Sequence, residues 1–362
     1  LIETGVWLPL LKEPIQTSVK ELDNPVSSEI AAFYDNSLWL NYDEVLYKYD
    51  TQSGSVSPYV MSIENGTGSP SGCFLVSGEN TLWALGFSYD ELDSAMTTGK
   101  DKPYWILRYY DFKSDTFVEV HDVDKILYTK FDYPKRMVED ENGNLWLLLW
   151  GGDVNSPTRI IHYDVQQNKA SLIDLKSQIG TFPLGAIHDM VFDHQGMLWL
   201  SLQAEFLPDD PNPNYHQAYY WKIFRYNPKS QIIKSFSRPA GAISGTPDLF
   251  VDRNDRLWTN SIAWIDLLQS NNPQWSPAVQ PFQLFTDSFG WSPPWPIYET
   301  SDGALWLRGD FGLKVYYPPT NQWYNPSFVL DEEHYFGSMV VEDDRHQVWA
   351  FADGQIYKLT HQ

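Results

Sequence analysis

Apolar residues in this chain fall in short runs separated by polar turns, as in Glu29-Ile30-Ala31-Ala32-Phe33, Met190-Val191-Phe192 and Leu145-Trp146-Leu147-Leu148. Runs this short, bounded by Asp, Asn and Gly, predict strands rather than helices. The turns Asp140-Glu141-Asn142-Gly143, Asp193-His194-Gln195-Gly196 and Thr300-Ser301-Asp302-Gly303 suit tight reversals. Gly and Asn tolerate positive φ there, and Asp bonds its own backbone. Each turn leads from an apolar strand a into a strand b that carries a tryptophan. Strand c is aromatic and ends in Tyr plus a turn former: Tyr47-Lys48-Tyr49-Asp50, Arg108-Tyr109-Tyr110-Asp111, Ile161-His162-Tyr163-Asp164, Phe224-Arg225-Tyr226-Asn227. A second turn and a strand d complete the unit.

The unit repeats. An apolar-Trp pair recurs at Trp39, Trp83, Trp146, Trp199, Trp258, Trp306 and Trp349, at intervals of 44, 63, 53, 59, 48 and 43 residues. A four-stranded propeller blade needs roughly 40–50 residues. The spacing therefore predicts one all-β domain over 1–362, a seven-bladed β-propeller with four-stranded antiparallel blades. Blades widen outward from the axis, and a flat indole fills the gap between neighbours. Burying one removes about 150–250 Å² from water. The fifth unit is the least regular, because strand c after Trp258 is hard to place. The last unit stops before its strand d, and Gly5-Val6-Trp7-Leu8-Pro9-Leu10-Leu11 is a spare apolar strand. It is expected to pair with the last blade and close the ring, covering an open edge.

The repeat Asp-x-x-Gly-x-Leu-Trp at Asp140–Trp146 and Asp193–Trp199, with Thr in first place at Thr300–Trp306, resembles the two-component-regulator propeller repeat. That resemblance implies an extracytoplasmic sensor of a bacterial signalling protein. The repeat is also similar to that of the streptogramin lyase propellers, which carry a His 11 residues before the Trp. That slot holds Ser28, Gly72, Lys135, His188, Pro247, Trp295 and Ser338 here, so His188 alone fits. The Glu-x-His element of those lyases has two counterparts in spacing, Glu119-Val120-His121 and Glu332-Glu333-His334.

Propeller geometry puts b–c and d–a loops on one face. The insertions fall in b–c loops, about 87–103, 151–158 and 203–219, so that face is the expected binding surface. Candidate ligand contacts there are Tyr89, Asp209, Tyr215 and His216, with Trp291 and Trp295 in the Pro-stiffened d–a loop before blade 6. Aromatics beside carboxylates stack sugar rings or cage cations; the competing reading has both tryptophans filling a blade interface. The starts of strands a line the channel mouth and add Lys135, Arg136, His188, Asp189 and Asp248. His188-Asp189 is the most site-like pair, because His titrates near neutral pH and a carboxylate orients it. The competing reading is a merely polar, hydrated strand end.

Composition narrows the partners. The net charge of −22 disfavours nucleic acid and anionic lipid. No apolar run is long enough for a transmembrane helix, so no direct membrane insertion is expected. The single cysteine, Cys73, sits in an apolar run and is expected to be buried. No cofactor and no dedicated metal site are expected, although Asp331-Glu332-Glu333 and Glu342-Asp343-Asp344 offer oxygens suited to Ca²⁺. No signal segment is visible in this sequence, and an extracytoplasmic location is expected from the resemblance. Three functions compete. The first is a sensing module for a carbohydrate-like or small polar ligand on the b–c face. The second is a lyase or hydrolase around His188 and Asp189, and the third a protein-interaction platform.

Overall fold

A computed structural model describes residues 7–9, 15–16, 29–42, 45–59, 62–63, 66–78, 80–88, 105–111, 113–120, 132–151, 159–173, 175, 187–204, 220–236, 248–259, 264–267, 275–276, 295–309, 312–324, 339–352 and 355–361. Every regular element among them is a strand. Among the described residues the strands form seven antiparallel sheets whose own strands pair in chain order; four of them run simply a to d, and Ser62–Ile63 pairs with strand a of blade 2 as a fifth strand there. Blade 3 is typical: Asp132–Glu139, Leu145–Gly151, Arg159–Asp164 and Lys169–Ile173. Blade 4 follows with Ile187–Phe192, Leu198–Ala204, Tyr220–Asn227 and Ile232–Phe236. Blade 5 is reduced. Its strand c is only Trp264–Asp266, and among the described residues strand d is a single bridge between Ile265 and Trp275. That brevity is why its sequence pattern is faint.

The last sheet has three strands of its own, ending in Gln355–His361. Trp7–Pro9 and Ile15–Gln16 both pair with that final strand, with Leu8 opposite Thr360 and Ile15 opposite Ile356. The N-terminal strand thus joins the last blade as expected. Among the described residues no hydrogen-bonded ladder links one blade to the next. The innermost strands neighbour one another in order, and Met339–Glu342 of blade 7 lies against Glu29–Tyr34 of blade 1.

Side-chain packing joins the blades. Each of the seven tryptophans lies in the cluster between its own blade and the next. Side chains alternate along a strand, so the residues flanking the Trp face the blade before. In blade 3, Leu145, Leu147 and Leu149 pack on blade 2, while Trp146 and Leu148 pack on blade 4. Trp349 carries the series round to blade 1, where it meets Leu38 and Tyr49. Cys73 is buried between blades 2 and 3.

The turn aspartates have two jobs. One oxygen of Asp193 accepts the Gln195 and Met197 amides, and the other accepts the Trp199 indole N–H at 2.7 Å. Asp140, Asp252 and Asp343 repeat this with Trp146, Trp258 and Trp349. Burial alone would raise Asp140, but bonds from His162, Trp146 and two amides hold it well below the usual carboxylate range. Glutamates just before the turn reach back to the preceding blade. Glu139 accepts the Gly78 amide, Glu299 that of Arg253 and Glu342 that of Ser301, all at 2.6–2.7 Å.

Two outcomes follow. Asp193→Ala, which strands one indole and two amides, is expected to lower unfolding free energy by about 2–4 kcal/mol in a urea titration. A loss under about half a kcal/mol would refute the double role. Removing residues 1–16 exposes the Gln355–His361 edge, so a lower unfolding midpoint and concentration-dependent association are expected in light scattering.

Candidate functional site

The innermost strands carry β-bulges, and those of blades 3 and 4 lie at equivalent places. In blade 3 the register jumps between Pro134 and Arg136, so Lys135 has no partner on strand b. In blade 4 it jumps between Ile187 and Asp189, leaving His188. Proline suits a bulge because it brings no amide to the ladder. A bulge re-aims the residue it releases. Two adjacent blades thereby present a lysine and a histidine at the same level of the channel, on the b–c and d–a face.

Acidic groups close the cluster. His188 Nδ1 lies 3.5 Å from Asp248 Oδ1 of blade 5, and Arg136 Nε lies 3.5 Å from Asp189 Oδ1. Lys135 feels both carboxylates. Among the described residues it makes no ion pair within 4 Å. Arg308, at the end of strand b in blade 6, adds a third cation felt by Asp248. It stands across the ladder from Trp295.

Asp189 does not orient His188, contrary to the pairing expected from sequence. Its buried carboxylate accepts the Met190 amide at 2.8 Å and the Leu249 amide of blade 5 at 2.7 Å. It is a clasp joining blades 3, 4 and 5, and Asp248 is the carboxylate at ion-pair distance from His188. Nor does His188 titrate near neutral pH. Burial, then the Lys135 ammonium, push it down to about 4, with Asp189 opposing. It is a neutral imidazole at physiological pH, and its buried Nδ1 has no hydrogen-bond partner. Burial raises both Asp189 and Asp248, against the pull of Arg136. Burial also lowers the Lys135 ammonium, against the pull of Asp189 and then Asp248.

The structure thus gathers Lys135, Arg136, His188, Asp189 and Asp248, and brings the start of the strand at Trp295 to the same face. Tyr89, Asp209, Tyr215, His216 and Trp291 lie outside the described residues, as do His121, Asp331-Glu332-Glu333 and His334. Glu119 ends an outermost strand and is tied to buried Arg108 at 3.1 Å. The proposed Ca²⁺ ligands Glu342 and Asp343 are engaged instead as a blade-to-blade acceptor and a turn cap. Among the described residues no three His, Cys, Asp or Glu side chains gather as a metal site. Sequence reasoning missed Arg308. Its signal is register: two residues after the blade Trp, the seven units carry Asn41, Leu85, Leu148, Ser201, Asn260, Arg308 and Phe351, and only Arg308 is charged.

No family model matches the chain, and no curated protein matches it. Solved structures share its fold. The streptogramin B lyase structure superposes with a TM-score of 0.58 at 15% identity, covering 97% of each chain. The extracellular domain of a protein described as a hybrid two component system from B. thetaiotaomicron gives 0.59 at 14%, covering 95% of this chain and 40% of that one. YCF48 bound to a D1 peptide gives 0.57 at 13%, covering 97% and 96%. At these identities the likeness is one of fold.

The His188 environment sets a pH dependence. Its folded value of about 4 lies below the ordinary 6.5, so between them the native state binds fewer protons than the unfolded chain. Its contribution is intact above about pH 6.5 and is lost as pH falls to about 4, up to about 3 kcal/mol in all. The raised Asp189 and Asp248 slope the opposite way, so the comparison is with His188→Gln. Denaturant titrations from about pH 7.5 to 4 should show wild type losing stability relative to this variant; parallel profiles would contradict a neutral buried His188.

Proposed function

We propose that this chain is an extracytoplasmic ligand-binding propeller holding a small polar ligand at the channel mouth. The observation that carries the reading is the pair of equivalent bulges in adjacent blades. They release Lys135 and His188 beside Asp248, although regular ladders would be simpler to fold. Bulges beside sites commonly serve to re-aim side chains. A neutral imidazole with a buried nitrogen that has no hydrogen-bond partner, a lysine with no ion pair among the described residues and a carboxylate offer a donor, an acceptor and a charge close together. Polar groups that converge are what orient small ligands. The likeness to an extracellular domain of a two component system protein supports the location and the sensing role. A carbohydrate-like ligand fits the acidic and aromatic b–c insertions read from sequence.

The test is a thermal-shift screen of neutral, acidic and basic small molecules, followed by calorimetry on hits. Binding is expected to weaken at least roughly tenfold in both His188→Gln and Asp248→Asn. A ligand that binds both variants as tightly as wild type would remove the channel mouth as its site.

A further inference from the structure

We propose that the outer strand of blade 4, Ile232–Phe236, is a docking edge for an acidic, extended segment of a partner protein. This edge lies on the rim of the ring, apart from the channel mouth. Between Asp210 and Asp248 the chain has no carboxylate and five cations, Lys222, Arg225, Lys229, Lys234 and Arg238. A chain of net charge −22 thus reverses sign over 211–247. Strands c and d of blade 4 lie within that stretch. A local cationic field on an acidic protein attracts anionic partners to one place.

Pairing register concentrates that charge. Arg225 and Lys234 stand directly opposite one another across the c–d ladder. Like charges in that relation destabilise a sheet. Among the described residues neither makes an ion pair, whereas Lys229 is held at 2.6 Å by Glu141. The Arg225 guanidinium lies 5.5 Å from the Trp199 ring centre and 5.6 Å from that of Phe236, and Lys234 is exposed. Side chains alternate along a strand, so Ile232, Lys234 and Phe236 share one face. Phe236 packs beside Trp199, and Ile232 is 57% exposed. The strand therefore presents an apolar group beside two cations that lack a carboxylate.

The backbone favours a polypeptide over a free anion. Ile232–Phe236 ends its sheet, with no strand on its outer side among the described residues. Most other outer edges are guarded or short. That of blade 1 contains Pro58, which brings no amide, and that of blade 2 ends in Glu119. That of blade 6 has three residues, and the N-terminal strands cover blade 7. Lys169–Ile173 of blade 3 is as long and exposes Leu172, but its Lys169 stands opposite Asp164. A lysine on an open edge repels an apolar or basic strand. To a strand bearing carboxylates the same lysine is an attraction. Strand addition supplies main-chain bonds, and alternate side chains select the partner. Here a carboxylate would meet Arg225 and Lys234, and an apolar residue two positions along would meet Ile232.

The experiment titrates the full chain into three capped, labelled eight-residue peptides, read by fluorescence anisotropy. They are repeats of Glu-Glu-Val-Val, Lys-Lys-Val-Val and Glu-Glu-Pro-Pro; heparin is tested alongside. The first is expected to bind roughly tenfold or more tightly than the other two, and to slow hydrogen exchange of the amides at 232–236. Lys234→Glu should weaken it at least roughly tenfold, and Lys169→Glu on the blade 3 edge by less than about twofold. Lys234→Glu should melt no lower than wild type, because it replaces a like-charged cross-strand pair with an opposite one. Failure of the Glu-Glu-Val-Val peptide to bind, or an unchanged affinity in Lys234→Glu, overturns the proposal. Equal binding of the Glu-Glu-Pro-Pro peptide also overturns it, leaving an anion patch without strand addition. Heparin bound through Lys234 in the absence of peptide binding would assign the surface to an anionic polysaccharide instead.

Discussion

A propeller blade is a twisted wedge, and among the described residues no strand ladder ties it to the next. The contact of one indole per blade with the following sheet is therefore the interaction on which the ring depends. Trp39, Trp199, Trp258 and Trp306 have no solvent exposure, and the other three are nearly as deep. The alternation of the strand sends the Trp one way and its apolar neighbours the other. A single strand b thus contributes to two interfaces, and seven such strands close a circle. The circle does not depend on any one blade being complete. Blade 5 keeps its Trp258 contact with Leu305, Leu307 and Tyr316 although, among the described residues, its outer strand is a single bridge.

The indole has a polar edge that must be satisfied when buried. In blades 3, 4, 5 and 7 a turn aspartate supplies the acceptor, and it does so while capping the hairpin that aims the tryptophan. Turn geometry and blade packing are coupled through one carboxylate. On the same face, Glu139, Glu299 and Glu342 bond the turn amides of the blade before them. Between blades 4 and 5, where the equivalent residue is Val251, Asp255 does this from a different turn position by accepting the His194 amide. The a–b face is accordingly a hydrogen-bonded rim.

The opposite face is free of that constraint and carries the insertions. Here the inner strands of five blades depart from regular pairing, and in blades 3 and 4 the residues released, Lys135 and His188, are ionisable. Asp189 illustrates how support and chemistry divide. Its buried carboxylate is used by backbone amides and by Arg136, fixing three blades in place around the mouth. Lys135, His188 and Asp248 are then held by a frame that does not need them for its own bonding.

By itself the sequence determined the repeat, the number of blades, the role of the seven tryptophans and the use of the N-terminal strand in the last sheet. These are local: apolar alternation, turn chemistry and spacing recur seven times and reinforce one another. It also pointed to Lys135, Arg136, His188, Asp189 and Asp248, because strand starts can be counted back from each Trp. Tertiary structure alone decided which carboxylate faces His188, that Asp189 is a clasp, and that Arg308 joins the mouth. Those outcomes hinge on a one-residue bulge, which turns a side chain without altering the apolar pattern. They hinge as well on distances between blades, which no spacing within a single strand encodes.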